Sequence, residues 1–337
     1  MKAVGYQKSL PIDDLNSLMD IDLPRPKPEG RDLLVEIRAV SVNPVDTKVR
    51  MRAEPEQGEY KVLGWDAAGI IVETGPDVTD YAPGDEVFYA GDLTRQGTYS
   101  EFQLVDERIV GKKPKSLSFA EAAALPLTSI TAWEGLFDRL KVGQPTAAGT
   151  NTLLVVGGAG GVGSIALQLA SQLTGLTIVA TASRPESQEW IKSLGAHHLL
   201  DHSKPMAPQL ESMGLSAPDF VFSTTHTEHH QQDIAALMAP QGRLLMIDDP
   251  AAFNIGLFKQ KSISVHWEFM FTRSMFQTAD MAEQQVLLNK VSDMVDAGKI
   301  RTTLSDTLGT INAENLRKAH GLIESQKTIG KLVLAGF

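Results

Sequence analysis

Six consecutive residues carry the sharpest chemical signal in this chain: Gly158-Ala159-Gly160-Gly161-Val162-Gly163. They follow the apolar run Leu153–Val156 and open the segment GSIALQLA. This is G-x-G-x-x-G between strand and helix, the context in which the spacing has a physical meaning. One glycine permits a tight turn and the next lets the backbone approach a pyrophosphate. The third lets the helix pack against the strand. The helix start offers unpaired N–H groups and a partial positive charge to phosphate. The pattern therefore points to a dinucleotide; the competing reading is a turn that is merely tight.

A second group stands where the next strand, Thr177–Thr181, runs out into Ala182-Ser183-Arg184. A site for NAD usually places Asp or Glu there, on the ribose 2′-hydroxyl. The nearest acid, Glu186, lies beyond Pro185. Ser183 offers a hydroxyl and Arg184 a guanidinium, which matches a 2′-phosphate in charge and in bidentate geometry. NADPH is the expected cofactor, against the alternative that Arg184 is a solvated loop residue.

Other chemistries find no support. There is no cysteine, so thiolate catalysis, disulfides, iron–sulfur clusters and Cys-held zinc are excluded. His226, His229 and His230 cluster with Glu228. The spacing is not H-E-x-x-H, and adjacent histidines cannot share one narrow helical face. These residues read as a solvated loop after the strand DFVFS. Ser223 and Thr224 at that strand's end border the expected adenosine. Ile247-Asp248-Asp249 ends another strand at the edge where such sheets bind ligands; an acid there is either a proton donor or a solvated loop residue. No G-x-S-x-G elbow is present for hydrolase chemistry.

These groups need elements to position them. Residues 33–42 and 68–74 alternate as strands do, and Gly75-Pro76-Asp77 and Pro83-Gly84-Asp85 mark turns. Up to about residue 115 the texture is short strands and turns, an irregular β domain. From Phe119 onward helices appear: 119–125 behind Ser118, a candidate N-cap, then 130–140. Thr152–Gly157, Thr177–Thr181, Phe220–Phe222 and Arg243–Ile247 read as buried strands. They alternate with helices over Val162–Leu173 and Pro185–Leu194. That alternation implies βαβ units and a parallel sheet. Ala279–Ala297 is a helix by spacing, Asn312 caps another running to about Ser325, and Lys331–Phe337 is strand-like. At 337 residues, two domains are expected at ~100–200 residues each. Lys and Arg number 31 against 41 Asp and Glu, so a broad nucleic-acid footprint is not expected. With no apolar leader and no run of ~18 apolar residues, the expectation is a cytoplasmic protein without a membrane span.

Several segments together resemble a known family. They are Ser41-Val42-Asn43-Pro44-Val45-Asp46, Leu63-Gly64-Trp65-Asp66-Ala67-Ala68-Gly69, Pro83-Gly84-Asp85-Glu86-Val87, Gly97-Thr98-Tyr99-Ser100-Glu101-Phe102, Ala122-Ala123-Ala124-Leu125-Pro126-Leu127, the glycine loop, and Gly330-Lys331-Leu332-Val333-Leu334. In this order they resemble the medium-chain dehydrogenase/reductase superfamily, most closely its zinc-free quinone oxidoreductase branch, whose members are often labelled zinc-type alcohol dehydrogenase-like. The resemblance implies an α/β fold, with a GroES-like β-rich domain over 1–124 and 266–337. A Rossmann doubly wound parallel sheet would occupy 125–265. It also implies a homodimer formed through an edge strand.

The resemblance also tests that label. Zinc-holding members use two Cys, a His and a Glu beside the His. Here Asn43 stands at the first Cys, Trp65 at the His, Asp66 at the Glu and Leu127 at the second Cys. Val45 replaces a relay hydroxyl, and Lys48 stands where a relay His would be. No metal is expected. Hydride would then pass from NADPH to a quinone or α,β-unsaturated carbonyl, whose oxygen is already conjugated to the accepting carbon. The resemblance puts Asn43, Asp46 and Trp65 at the substrate. Their bland readings are a buried turn amide, a cap of a short helix and core. It puts Thr131 at the nicotinamide end and Lys331 at the pyrophosphate. The rival functions are a zinc-type alcohol dehydrogenase and a non-catalytic NADPH-binding sensor or structural protein.

Overall fold

The computed structural model describes residues 1–337. In chain order the strands are β1 (Lys2–Tyr6), β2 (Met19–Asp22), β3 (Asp32–Val42), β4 (Lys61–Val62), β5 (Ala67–Thr74), β6 (Glu86–Tyr89), β7 (Phe102–Asp106), β8 (Val110–Lys112), β9 (Thr152–Val156), β10 (Thr177–Thr181), β11 (His198–Leu200), β12 (Phe220–Ser223), β13 (Arg243–Met246), β14 (Ser264–Trp267), β15 (Leu304–Thr307) and β16 (Lys331–Ala335). The α-helices are α1 (Pro44–Arg52), α2 (Phe119–Ala123), α3 (Pro126–Trp133), α4 (Gly161–Leu173), α5 (Pro185–Ser193), α6 (Met206–Ser212), α7 (Thr227–Leu237), α8 (Thr272–Met275), α9 (Glu283–Asp296) and α10 (Ala313–Glu324).

The chain divides into two compact units. One comprises Met1–Ile130 with Phe271–Phe337, the other Thr131–Met270. Both breaks fall a few residues beyond those read from the sequence, because α3 and the exit from β14 carry each element past the change in texture.

The first unit is β-rich and almost wholly antiparallel. Its larger sheet runs β15-β16-β3-β5-β6-β8, with β7 also on β3; β2-β1-β4 form a smaller one. Strand β3 is its spine, flanked by β16 with Leu332 opposite Val42 and by β5 with Ala67 opposite Val40. Helix α1 starts directly after β3, with Pro44 at its first position. Pro pre-sets φ there and gives up an N–H that would have no partner. Ser118 caps α2 and is answered by Glu121 in a reciprocal capping box.

The second unit is a parallel six-stranded sheet in the order β11-β10-β9-β12-β13-β14. All five residues of β9 are buried, as expected for a strand covered on both faces. The chain leaves β9 to one side for β10 and β11, then crosses to the other for β12, β13 and β14. The reversal places a crevice at the carboxyl ends of β9 and β12. The segment read as one helix over 130–140 is α3 followed by a π-helical stretch, Glu134–Arg139. There the helix lies close on the sheet: a Cβ on Gly135 would stand 2.7 Å from Leu245 Cδ2 and 2.9 Å from Phe222. His229 and His230 are not in a loop but on α7, which begins at Thr227 with His226 as its N-cap residue. No helix is long and apolar enough to cross a membrane.

Candidate active site

In the β-rich unit the ammonium of Lys331 centres a closed polar cluster. Its Nζ donates to Asn43 Oδ1, to the Val42 carbonyl at 3.2 Å and to Asp66 Oδ2 at 3.0 Å. Asn43 Nδ2 donates to the same Asp66 oxygen at 2.9 Å, and the Leu127 N–H to the other at 2.8 Å. The fold makes this meeting unavoidable. The register of β16 on β3 brings Lys331 against Asn43, and Asp66 sits just ahead of β5 on the other flank. Burial pushes the Asp66 carboxyl upward, while the Lys331 charge and the donors from Leu127 and Asn43 pull it back.

Asp46 adjoins the cluster. Its Oδ2 accepts the Asn43 N–H at 2.6 Å and the Tyr99 hydroxyl at 3.0 Å. The first is half of a capping box at the start of α1. The Asn43 side chain, which would complete it, is spent on Asp66 and Lys331. Burial pushes Asp46 up to about 7, against the Asn43 N–H, the Lys331 charge and Tyr99. Beyond Tyr99, His320 Nε2 stands 3.3 Å from the phenol oxygen. Burial, then the Arg50 charge, take His320 down to about 3. Its neutral ring donates from Nε2, since the phenol proton goes to Asp46. Trp65 has no exposed surface, donates its indole N–H to the Asp92 carbonyl at 3.2 Å, and meets Phe271 edge-on.

Lys331, expected at a pyrophosphate, is 3% exposed and its ammonium is turned onto three oxygens of its own unit. Asn43, Asp46 and Trp65, expected at the substrate, are buried and bonded within their own unit.

The same geometry tests zinc. A tetrahedral site needs four N, S or O donors at ~2.0–2.3 Å. The positions of Asn43, Trp65, Asp66 and Leu127 supply only an amide oxygen and a carboxylate, both already bonded to an ammonium. This donor set does not fit zinc. No three His, Asp or Glu side chains are arranged to hold a metal elsewhere.

The glycine loop, in the parallel unit, fits a dinucleotide. Gly157 takes φ +79° and donates to Thr181 Oγ1 at 3.0 Å; Gly158 donates to the Thr181 carbonyl at 3.2 Å. These bonds tie the loop to the end of β10. A Cβ on Gly163 would lie 2.5 Å from the Gly157 carbonyl oxygen and 2.7 Å from Gly158 Cα. Gly158 and Gly163 are buried, whereas Ala159, Gly160, Gly161 and Val162 keep exposed surface at the head of α4. The packing glycines and the residues open to solvent are thus separate sets. At the end of β10, Ser183 is exposed and Arg184 half-exposed, with Nη1 3.4 Å from Glu186 Oε1. Thr131 lies on α3 with its side chain nearly buried. The Asp248 carboxylate accepts the Thr227 N–H and hydroxyl at the start of α7.

One buried group was not foreseen. Glu268, just past β14, accepts Arg139 Nε at 2.7 Å and is pushed up to about 8. Burial contributes most, then the charge of Glu134, against Arg139. Both glutamates are nearly fully buried. Their positions, 134 apart in sequence, leave no local pattern to read.

Comparison with known proteins supplies the remaining finding. Residues 29–125 match the alcohol dehydrogenase GroES-like domain, and residues 194–334 the zinc-binding dehydrogenase family. A zinc-type alcohol dehydrogenase-like protein of Staphylococcus aureus is 40% identical over 339 residues, covering 99% of each chain. The 2-methylene-furan-3-one reductase of Solanum lycopersicum is 30% identical over 350 residues, covering 99% of this chain and 79% of its own. A solved protein of Rhizobium etli CFN 42, provisionally named a zinc-dependent alcohol dehydrogenase, superposes with a TM-score of 0.98 at 62% identity, over all of this chain and 98% of that one.

Proposed function

The chain belongs to the medium-chain dehydrogenase/reductase superfamily, and on that premise we propose that it is an NADPH-dependent reductase of α,β-unsaturated carbonyls or quinones that works without a metal. The observation that carries this reading is the Lys331–Asn43–Asp66 cluster. The positions that would hold a Lewis acid are closed by an ammonium. A substrate reduced here must therefore carry its own electron sink, which a conjugated carbonyl does. The similarity to a 2-methylene-furan-3-one reductase favours the enone.

The chain's own residues divide the work. Ala159 to Val162 and the head of α4 would receive the pyrophosphate, and Ser183 and Arg184 the 2′-phosphate. The Thr131 hydroxyl would bond ribose or carboxamide. When bound, the cofactor supplies the hydride, and solvent or a weak acid supplies the proton. Strand β14, open along its outer side, would pair two copies into a homodimer.

The test follows NADPH and NADH oxidation against a quinone, an enone and a simple aldehyde, and NADP⁺ reduction by a secondary alcohol, with and without chelator. Chelator-insensitive turnover of quinone or enone is expected. Metal-dependent alcohol oxidation would overturn the proposal in favour of a zinc enzyme. NADPH binding with no turnover would assign a sensor. Arg184→Ala should cost NADPH about 1.5–3 kcal/mol of binding and leave NADH unchanged.

A further inference from the structure

Four imidazoles gather at the carboxyl edge of the parallel sheet, and nothing above uses them. The rings of His202 and His230 lie 5.8 Å apart, as do those of His226 and His229, the latter pair stacked. His202 follows β11, and the other three stand at the head of α7. The register of β10 on β11 pairs Thr181 with Leu200, so Ser183-Arg184 and Asp201-His202 leave neighbouring strands side by side. His202 is also tied to the glycine loop. Its Nδ1 lies 2.9 Å from Thr181 Oγ1, which already accepts the Gly157 N–H. A hydroxyl can accept twice and donate once, so this contact joins His202 to the loop in either tautomer of the ring.

The acids around this cluster are engaged elsewhere. Asp201 accepts from Ser203 and pairs with Lys204. Asp233 accepts the N–H groups of Met206 and Ala207, and Glu228 that of Ala251. Asp248 caps Thr227, and Glu186 lies beside Arg184. Burial holds His202 and His230 below the ordinary histidine range, against the Asp201 charge for His202 and with the help of neighbouring imidazoles for both. Both are poised to gain protons when an anion arrives.

We propose that His202 and His230 complete, with Ser183 and Arg184, the pocket for the 2′-phosphate of the dinucleotide, and that they supply positive charge by taking up protons as it binds. This rests on the NADPH reading. The sign follows from linkage. A group whose proton affinity is low in the free protein and higher beside phosphate binds its proton together with the ligand. Affinity then rises as pH falls, by at most about tenfold per pH unit for each proton. The phosphate's own second ionisation, near ~6, acts in the opposite direction, so a net uptake belongs to the protein.

The experiment is calorimetric titration of NADPH and NADH between about pH 6 and pH 8, the range in which imidazoles respond. It uses two buffers of different ionisation heat and is repeated on His202→Gln and His230→Gln, each checked for a cooperative melt. Nitrogen-15 spectra of the imidazoles accompany it. The expected result is uptake of about one proton with NADPH and none with NADH. NADPH affinity should fall about tenfold across that range, and both variants should flatten the slope. His202 and His230 should shift toward the charged form on binding. A pH-independent preference for NADPH, or an uptake unchanged in both variants, overturns the proposal and leaves the NADPH reading standing. Equal binding of NADPH and NADH at every pH overturns that reading and the proposal with it.

Discussion

At the scale of single residues, the Lys331 ammonium is the most informative group. It compensates a buried carboxylate and fills the acceptors of a buried amide. Removing one partner of a buried pair leaves an uncompensated charge, a loss of about 3–5 kcal/mol, whereas removing both costs far less. Lys331→Met should therefore lower stability by that amount in urea denaturation, and Asp66→Asn in the same background should restore most of it. Equal losses in the single and double variants would show that the pair does not hold the site together. As a basic residue of the last strand, Lys331 was legible; where its side chain goes was not. Its partner Asn43 is 288 positions away, and only the β16–β3 register brings them together. A capping role for Asp46 was readable, though from the third helical position and not as the N-cap, because its partner, the Asn43 N–H, is three residues distant. Reach along the chain separates what was read from what was missed.

At the scale of elements, the glycine loop was the most legible piece, since its chemistry is backbone conformation at fixed spacing. It also supports a discriminating pair of substitutions. A Cβ at Gly163 would enter the backbone of Gly157 and Gly158, whereas at Gly160 the nearest atom is the Gly157 carbonyl oxygen at 3.7 Å. Gly163→Ala should displace α4 from the loop, reducing both stability and NADPH affinity. Gly160→Ala should fold with an unchanged melting midpoint and lose affinity only where a pyrophosphate presses on it. Matched melting and binding curves check both. The π-helical stretch Glu134–Arg139 was not legible, because its apolar spacing matches an ordinary helix. What sets it apart is the close seat of Gly135 on Phe222 and Leu245. The buried Glu268 beside it has a pH signature. Its folded-state value is about 8 against an ordinary 4.5, so its contribution is intact below the ordinary value and lost as pH rises through about 8. Glu268→Gln should remove that slope. Wild type should lose more stability than the variant between pH 5 and pH 9, up to roughly 4 kcal/mol, at ~1.4 kcal/mol for each of the three pH units up to about 8. Denaturation midpoints across that range decide it, and parallel profiles would sink the assignment.

At the scale of the whole molecule, the change from short strands to βα alternation was visible in texture alone. The return of the last segment to the first unit was not. It depends on β16 pairing antiparallel with β3 and on α9 packing against β8, long-range contacts that periodicity does not encode and that only the family resemblance implied. The proposed homodimer is also set at this scale. Strand β14 pairs on its inner side alone: the N–H groups of Ser264 and Glu268 bond the carbonyls of Gly242 and Met246. By alternation, those of Val265 and Trp267 point outward. Trp267 is 56% exposed and Ile255 62%, leaving apolar surface beside an open edge, a combination that natural sheets usually cover. Val265→Pro would delete an outward donor while sparing the inner bonds. Trp267→Glu would add charge to the apolar surface. Each should convert a dimer into a monomer by sedimentation without unfolding the sheet. Salt gives an independent check. Each copy carries a net charge of −10, so two copies repel, and an interface of backbone pairing and apolar contact gains when that repulsion is screened. Association should therefore tighten as ionic strength rises. Loosening with salt would mean that ion pairs hold the copies together, and β14 would not be their seam.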